Sequence, residues 1–154
     1  MRSRELTVAR TFFLVFDRGD EVIATVRSFA ERNGIRGGSF VAIGAFERAT
    51  IAWWSWTNKE YERREVEEQL EVLALIGDIA VENGRTKVHA HVSLGRRDGI
   101  GVGGHLLEAT VRPTLEMQIV DYGQPLVRVR DEETKLSLIG LAESDGAPGR
   151  RSHG

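Results

Sequence analysis

Lys87-Val-His-Ala-His-Val-Ser-Leu-Gly-Arg-Arg-Asp-Gly-Ile-Gly-Val-Gly-Gly-His105 is the stretch on which the reading of this chain turns. Its opening alternates polar and apolar residues, and residues two apart on a strand share a face. His89 and His91 therefore project together, while Val88, Ala90 and Val92 take the other side. Gly95-Arg-Arg-Asp-Gly99 then signals a turn. The chain returns through Gly101-Val-Gly-Gly-His105, so a hairpin brings His105 back towards the first two histidines.

Parity makes that hairpin demanding. A tight two-residue turn at Asp98-Gly99 would pair Arg97 with Ile100 and set His105 opposite Val92, on the wrong face of the sheet. A slip or bulge of one residue is needed to bring His105 round, and Gly101, Gly103 and Gly104 allow one at little steric cost. Three neutral imidazoles converging from rigid strands would suit zinc or another divalent transition metal, with a coordination position left open. The competing reading is an ordinary strand whose histidines are satisfied by hydrogen bonds. Glu71, Glu108 and Glu116 are candidates to orient an imidazole through its second ring nitrogen.

Outward from this hairpin, most of the chain reads as strand: residues 12–16, 37–45, 49–56, 70–77, 87–94, 101–111, 114–121 and 126–130. One helix is expected, with Asp20 as N-cap, apolar residues Val22, Ile23, Val26, Phe29 and Ala30 at helical spacing, and Asn33-Gly34 as the stop. A single early helix among consecutive strands predicts an α+β fold with a largely antiparallel sheet. Residues 1–142 form one domain, and 143–154, with almost nothing to bury, read as a disordered tail.

Composition narrows the function. The chain has 154 residues, 41% hydrophobic and 29% charged, as expected for one globular domain. Its 21 basic and 23 acidic residues leave a net charge of −2, which argues against a surface built to grip nucleic acid or anionic lipid. No cysteine is present, so disulfides and thiolate zinc sites are excluded. No apolar run approaches the ~20 residues that span a bilayer, and a soluble, cytoplasmic protein is expected.

Two other features carry less. Gly99-Ile-Gly-Val-Gly-Gly104 matches a dinucleotide fingerprint by letters, but it sits in a hairpin return instead of opening a helix. Trp54 and Trp56 are expected to share a strand face, with Trp53 opposite, as core or subunit packing more than as a stacking platform. The segment 59–71, with six glutamates against three basic residues, reads as a solvated strand or loop.

Several motifs in order carry a family resemblance: Gly37-Gly-Ser-Phe-Val-Ala-Ile-Gly-Ala45, Glu71-Val-Leu-Ala-Leu-Ile-Gly77, His89-Ala-His-Val-Ser-Leu94, Asp98-Gly99 and Gly103-Gly-His-Leu106. Together they resemble the PPC domain, conserved in plants and prokaryotes and found behind AT-hooks in plant nuclear proteins. The resemblance spans about residues 10–141 and implies an α+β homotrimer, with a metal ion near His89, His91 and His105. The AT-hook core Arg-Gly-Arg-Pro is missing from this chain. The expectation is a homotrimer binding a divalent metal through these histidines, with a small-molecule ligand or an uncharacterised metal-assisted role. The alternative is a DNA-associated protein without catalysis.

Overall fold

A computed structural model describes residues 2–141. Among them, eight strands and one helix run in the order β1 (Arg10–Phe16), α1 (Val22–Arg32), β2 (Gly38–Ser55), β3 (Glu60–Val66), β4 (Leu70–Glu82), β5 (Arg85–Gly95), β6 (Gly101–Asp121), β7 (Val127–Arg130) and β8 (Ser137–Gly140). The expected tail, 143–154, lies outside the described residues.

All eight strands belong to one sheet, antiparallel except where β7 meets β4 in parallel at Val127 and Val81. β2 pairs with both β6 and β4, β4 with β5, and β5 with β6, so these four strands close a ring. Alternation decides which side of the ring each residue takes. In β5, Val88, Ala90, Val92 and Leu94 are buried, while His89, His91 and Ser93 point to the opposite face. The inward set meets Phe40, Phe46, Leu75, Leu115, Met117 and other residues in one continuous core. Each fully buried Leu, Ile or Phe contributes about 1.5–3 kcal/mol relative to exposure.

The helix packs against β5 and β6 through Val22, Ile23, Val26 and Ala30, the spacing read in the sequence. Its N-cap is Glu21, one residue later than expected: the carboxylate accepts hydrogen bonds from the backbone N–H groups of Ile23 (3.2 Å) and Ala24 (2.6 Å). Asp20 is drawn away instead, accepting from the N–H of Asp17. The stop stands where expected, with Asn33 as C-cap and Gly34 at φ 65°.

Two pairs of expected strands are single long strands. Segments 37–45 and 49–56 join as β2, which ends at Ser55, so Trp56 falls in the turn and does not share a strand face with Trp54. Segments 101–111 and 114–121 join as β6 across Pro113. Proline has no N–H for the ladder, and the register between β2 and β6 shifts there, from Gly44 opposite Leu115 to Phe46 opposite Val111. The 59–71 segment supplies the edge strand β3, and β8 is an addition that the sequence reading lacked.

Candidate metal centre

The hairpin between β5 and β6 avoids the tight turn. Arg96 N–H donates to Ile100 O (3.0 Å) and Gly99 N–H to Arg96 O (3.0 Å), giving a three-residue loop, Arg97-Asp98-Gly99, with Gly99 in the left-handed region at φ 82°. The extra residue moves the register by one. His105 therefore stands directly opposite His91, and Val92 opposite Gly104. This is the irregularity that parity required, placed at the start of the glycine-rich segment. Gly104 also needs its freedom: at φ 154°, a Cβ there would lie 2.6 Å from Ala52 O on the neighbouring β2.

His89, His91 and His105 consequently form one cluster on the outer face, with a ring nitrogen from each lying within 4.8 Å of the others. Ring centroids are 5.1 Å (His89–His91), 5.0 Å (His89–His105) and 5.5 Å (His91–His105) apart. A tetrahedral ion about 2.0–2.1 Å from each nitrogen would space the donors by roughly 3.3 Å, inside the 4.8 Å within which these nitrogens lie. His91 is exposed and the other two are half-buried, so the cluster opens to solvent.

The surroundings suit imidazole ligands. Asp78, the β4 residue opposite His89, places Oδ2 3.2 Å from His89 Nδ1. With its proton on Nδ1, His89 donates to this carboxylate and keeps the Nε2 lone pair for an ion. Arg128 Nη2 donates to both Asp78 oxygens at 2.7 Å and lies 3.0 Å from His89 Nδ1. Burial raises the Asp78 carboxyl, but the hydrogen bonds from His89 and Arg128 and the nearby Arg128 charge outweigh it, and the net shift is downward. Burial, reinforced by the neighbouring His89, His91, Lys87 and Arg128, depresses His105 to about 4. Burial followed by His89 also lowers His91. His105 is thus neutral at pH 7. Its far side is covered by Tyr61, stacked at 4.7 Å, which in turn meets Trp54 edge-on at 5.0 Å. Burial raises the Tyr61 hydroxyl, opposed by the Arg128 charge, so it stays protonated.

The three glutamates considered from sequence do other work. Glu108 pairs with Arg63 at 3.3 Å, Glu71 stands opposite Gly95 at the far end of β4, and Glu116 stands opposite Ile43. Asp78 takes the orienting position that they were candidates for. One signal for it existed: it is the lone charge inside the apolar run of β4 from Val72 to Val81. Arg128 and Tyr61 come from β7 and β3 and carried no comparable mark. The Gly99–Gly104 glycines lie in a turn and a strand, as the rejection of a dinucleotide fingerprint required.

With this geometry in view, residues 3–122 match the family model of the Plants and Prokaryotes Conserved domain, abbreviated PCC or PPC. The chain belongs to this family. Among solved structures, the PPC chain is similar to a metal-containing protein from Archaeoglobus fulgidus, at 34% identity and TM-score 0.85, over 92% of this chain and 100% of that one. A plant- and prokaryote-conserved protein from Pyrococcus horikoshii matches at 28% identity and TM-score 0.85, over 93% and 99% of the two chains. A protein from Bacteroides thetaiotaomicron, provisionally described as DNA-binding, matches at 25% identity and TM-score 0.83, over 87% and 94%. Among curated proteins, none matches this PPC chain by sequence.

Proposed function

We propose that this PPC-domain protein is a homotrimer that binds one divalent transition metal ion per chain, zinc by preference, through His89, His91 and His105. The observation that carries the reading is the convergence of three imidazole donors within 4.8 Å on an open face, one of them backed by a carboxylate. The likeness to a metal-containing protein supports it. Three neutral nitrogen ligands with an open position favour zinc-type coordination, and a bound ion would supply Lewis-acid chemistry to a substrate oxygen. The role is ligand binding or a metal-assisted reaction.

Assembly is supported by an exposed apolar groove on the outer face of the sheet, lined by Phe13, Val41, Ile43, Leu73 and Ile76. Ile76 stands directly opposite His91, so this face runs up to the histidines. Apolar surface of this kind is what subunit contacts cover.

The test is a stability measurement on metal-free protein. Zinc at 100 times its dissociation constant is expected to add about 2.7 kcal/mol to the unfolding free energy, raising the melting temperature, and the gain should vanish in His91→Ala. Unchanged stability on adding zinc would remove the metal reading.

The likeness to a protein described as DNA-binding favours a second reading, a DNA-associated role without catalysis. The net charge of −2 weighs against it. Titration with random and AT-rich duplexes at about 0.15 M salt is expected to give dissociation constants of about 1 micromolar or weaker, with no preference between them. Nanomolar, sequence-selective binding would put the DNA role first.

A further inference from the structure

Beside the histidine cluster lies a cavity of about 400 Å³, with His89 and His105 in its wall. That volume is in the range of small-molecule sites. Its other walls come from β2–β3, through Trp54 and Tyr61, and from the β7–β8 unit, through Arg128, Arg130, Lys135 and Leu138. The β7–β8 residues lie beyond the 3–122 segment matched by the family model.

The charge of this cavity is one-sided. Its lining holds five cationic residues, Lys59, Lys87, Arg128, Arg130 and Lys135, against two carboxylates, Glu60 and Glu82. Two carboxylates outside the lining, Asp78 and Glu132, trim that excess without cancelling it. Arg128 is held by Asp78, Lys135 Nζ lies 2.8 Å from Glu132, and Lys87 Nζ lies 3.9 Å from Glu82. The Arg130 side chain, unlike its backbone in the β7–β8 ladder, has no ion-pair or hydrogen-bond partner among the described residues.

A second observation converges on the same place. Among the described residues, three buried side-chain nitrogens lack a hydrogen-bond partner: Trp54 Nε1, His105 Nδ1 and Arg128 Nε. All three belong to residues lining this one cavity. The tryptophan and arginine atoms are donors only, and His105 Nδ1 is a donor whenever Nε2 carries the lone pair. Leaving a buried donor unpaired costs about 1–3 kcal/mol, so unpaired donors gathered round one cavity favour an acceptor-rich guest that the lining can adjust to meet.

We propose that this cavity binds a small organic oxyanion, a carboxylate or a phosphate monoester, with its charged group among Arg128, Arg130 and Lys135 and its body against Trp54 and Tyr61. The proposal deepens the metal reading and rests on it for the ligand's position beside the ion. Guanidinium and ammonium groups recognise carboxylate and phosphate oxygens alike, so the anionic head is the shared chemistry. The aromatic pair gives a flat apolar body its surface.

The experiment is calorimetric titration of the full, zinc-loaded chain with benzoate, phenyl phosphate and the neutral analogue benzamide, repeated on the double variant Arg130→Gln/Lys135→Gln. Both substitutions remove the charge while keeping a polar side chain, and leave the histidines and Asp78 untouched. Benzoate or phenyl phosphate is expected to bind roughly tenfold or more tightly than benzamide, to weaken by a similar factor in the double variant, and to weaken with added salt. The stronger of the two anions identifies the head group. Equal binding of benzamide and the anions, no binding of either anion, or full affinity retained by the double variant would overturn the proposal. Metal content measured on the same samples separates the two claims. Retained zinc without anion selectivity defeats the cavity assignment alone, and anion selectivity without zinc defeats the metal reading alone.

Discussion

Asp78 shows how a single residue sets the chemistry of this face. It stands opposite His89 across the β4–β5 pairing, accepts from the imidazole in the Nδ1–H tautomer and is clamped by Arg128. Asp78→Asn keeps the shape but removes the charge that favours a proton on Nδ1. Partners of this kind are worth about 10–100-fold in metal affinity, and a loss of that size is expected when zinc binding is measured by competition with a chelator. Unchanged affinity would show that the carboxylate serves only Arg128. Some stability is lost too, since Arg128, with its side chain 7% exposed, is left facing an amide. Breaking a fully buried pair costs about 3–5 kcal/mol, and the cost is smaller here because Asp78 is 28% exposed. The histidines were legible because His89 and His91 share a strand and period two fixes their common face. Asp78, Arg128 and Tyr61 were not, because each reaches the site from a different strand and no local spacing says which strands become neighbours.

The hairpin between β5 and β6 is the element on which the cluster depends. The sequence showed that a regular Asp98-Gly99 turn would point His105 away, and the one-residue shift that corrects this is built into the Arg97-Asp98-Gly99 loop. Gly104 then lets β6 lie against Ala52 of β2 while keeping His105 in register with both neighbours. Gly104→Ala introduces a Cβ 2.6 Å from the Ala52 carbonyl at a backbone angle that alanine avoids. A loss of more than about 1 kcal/mol in denaturant unfolding is expected, together with weaker zinc binding as His105 is displaced. Full stability and full affinity would mean that the strand relaxes without moving the histidine. Strand boundaries were less legible than strand faces. Glu47 and Arg48 interrupt the apolar pattern within β2, and Pro113 reads as a break in β6, yet both strands continue because pairing on either side outweighs one irregular step. Strand β8 has four residues and, among the described residues, pairs only with β7, too little for a periodic signal.

At the scale of the whole molecule, a closed ring of strands with one helix packed by its apolar side against β5 and β6 leaves its outer face to carry both the histidines and a run of exposed aliphatic residues. That fold class was legible, since one helix among many strands admits few architectures; the closure of β2 onto both β4 and β6 was not, because it depends on two strands long enough to bend. The apolar groove predicts self-association. Static light scattering at micromolar concentration is expected to give a trimer, and Ile43→Glu/Leu73→Glu, which places charge on two exposed positions, is expected to give a folded monomer. A monomeric unmodified protein would contradict the assembly. The central claim is that the three histidines exist to hold an ion. Elemental analysis of protein purified without a histidine tag tests it most directly: about one divalent transition metal ion per chain is expected, falling close to zero in the triple variant His89→Ala/His91→Ala/His105→Ala. Metal-free unmodified protein, or the same metal content in the triple variant, would contradict it.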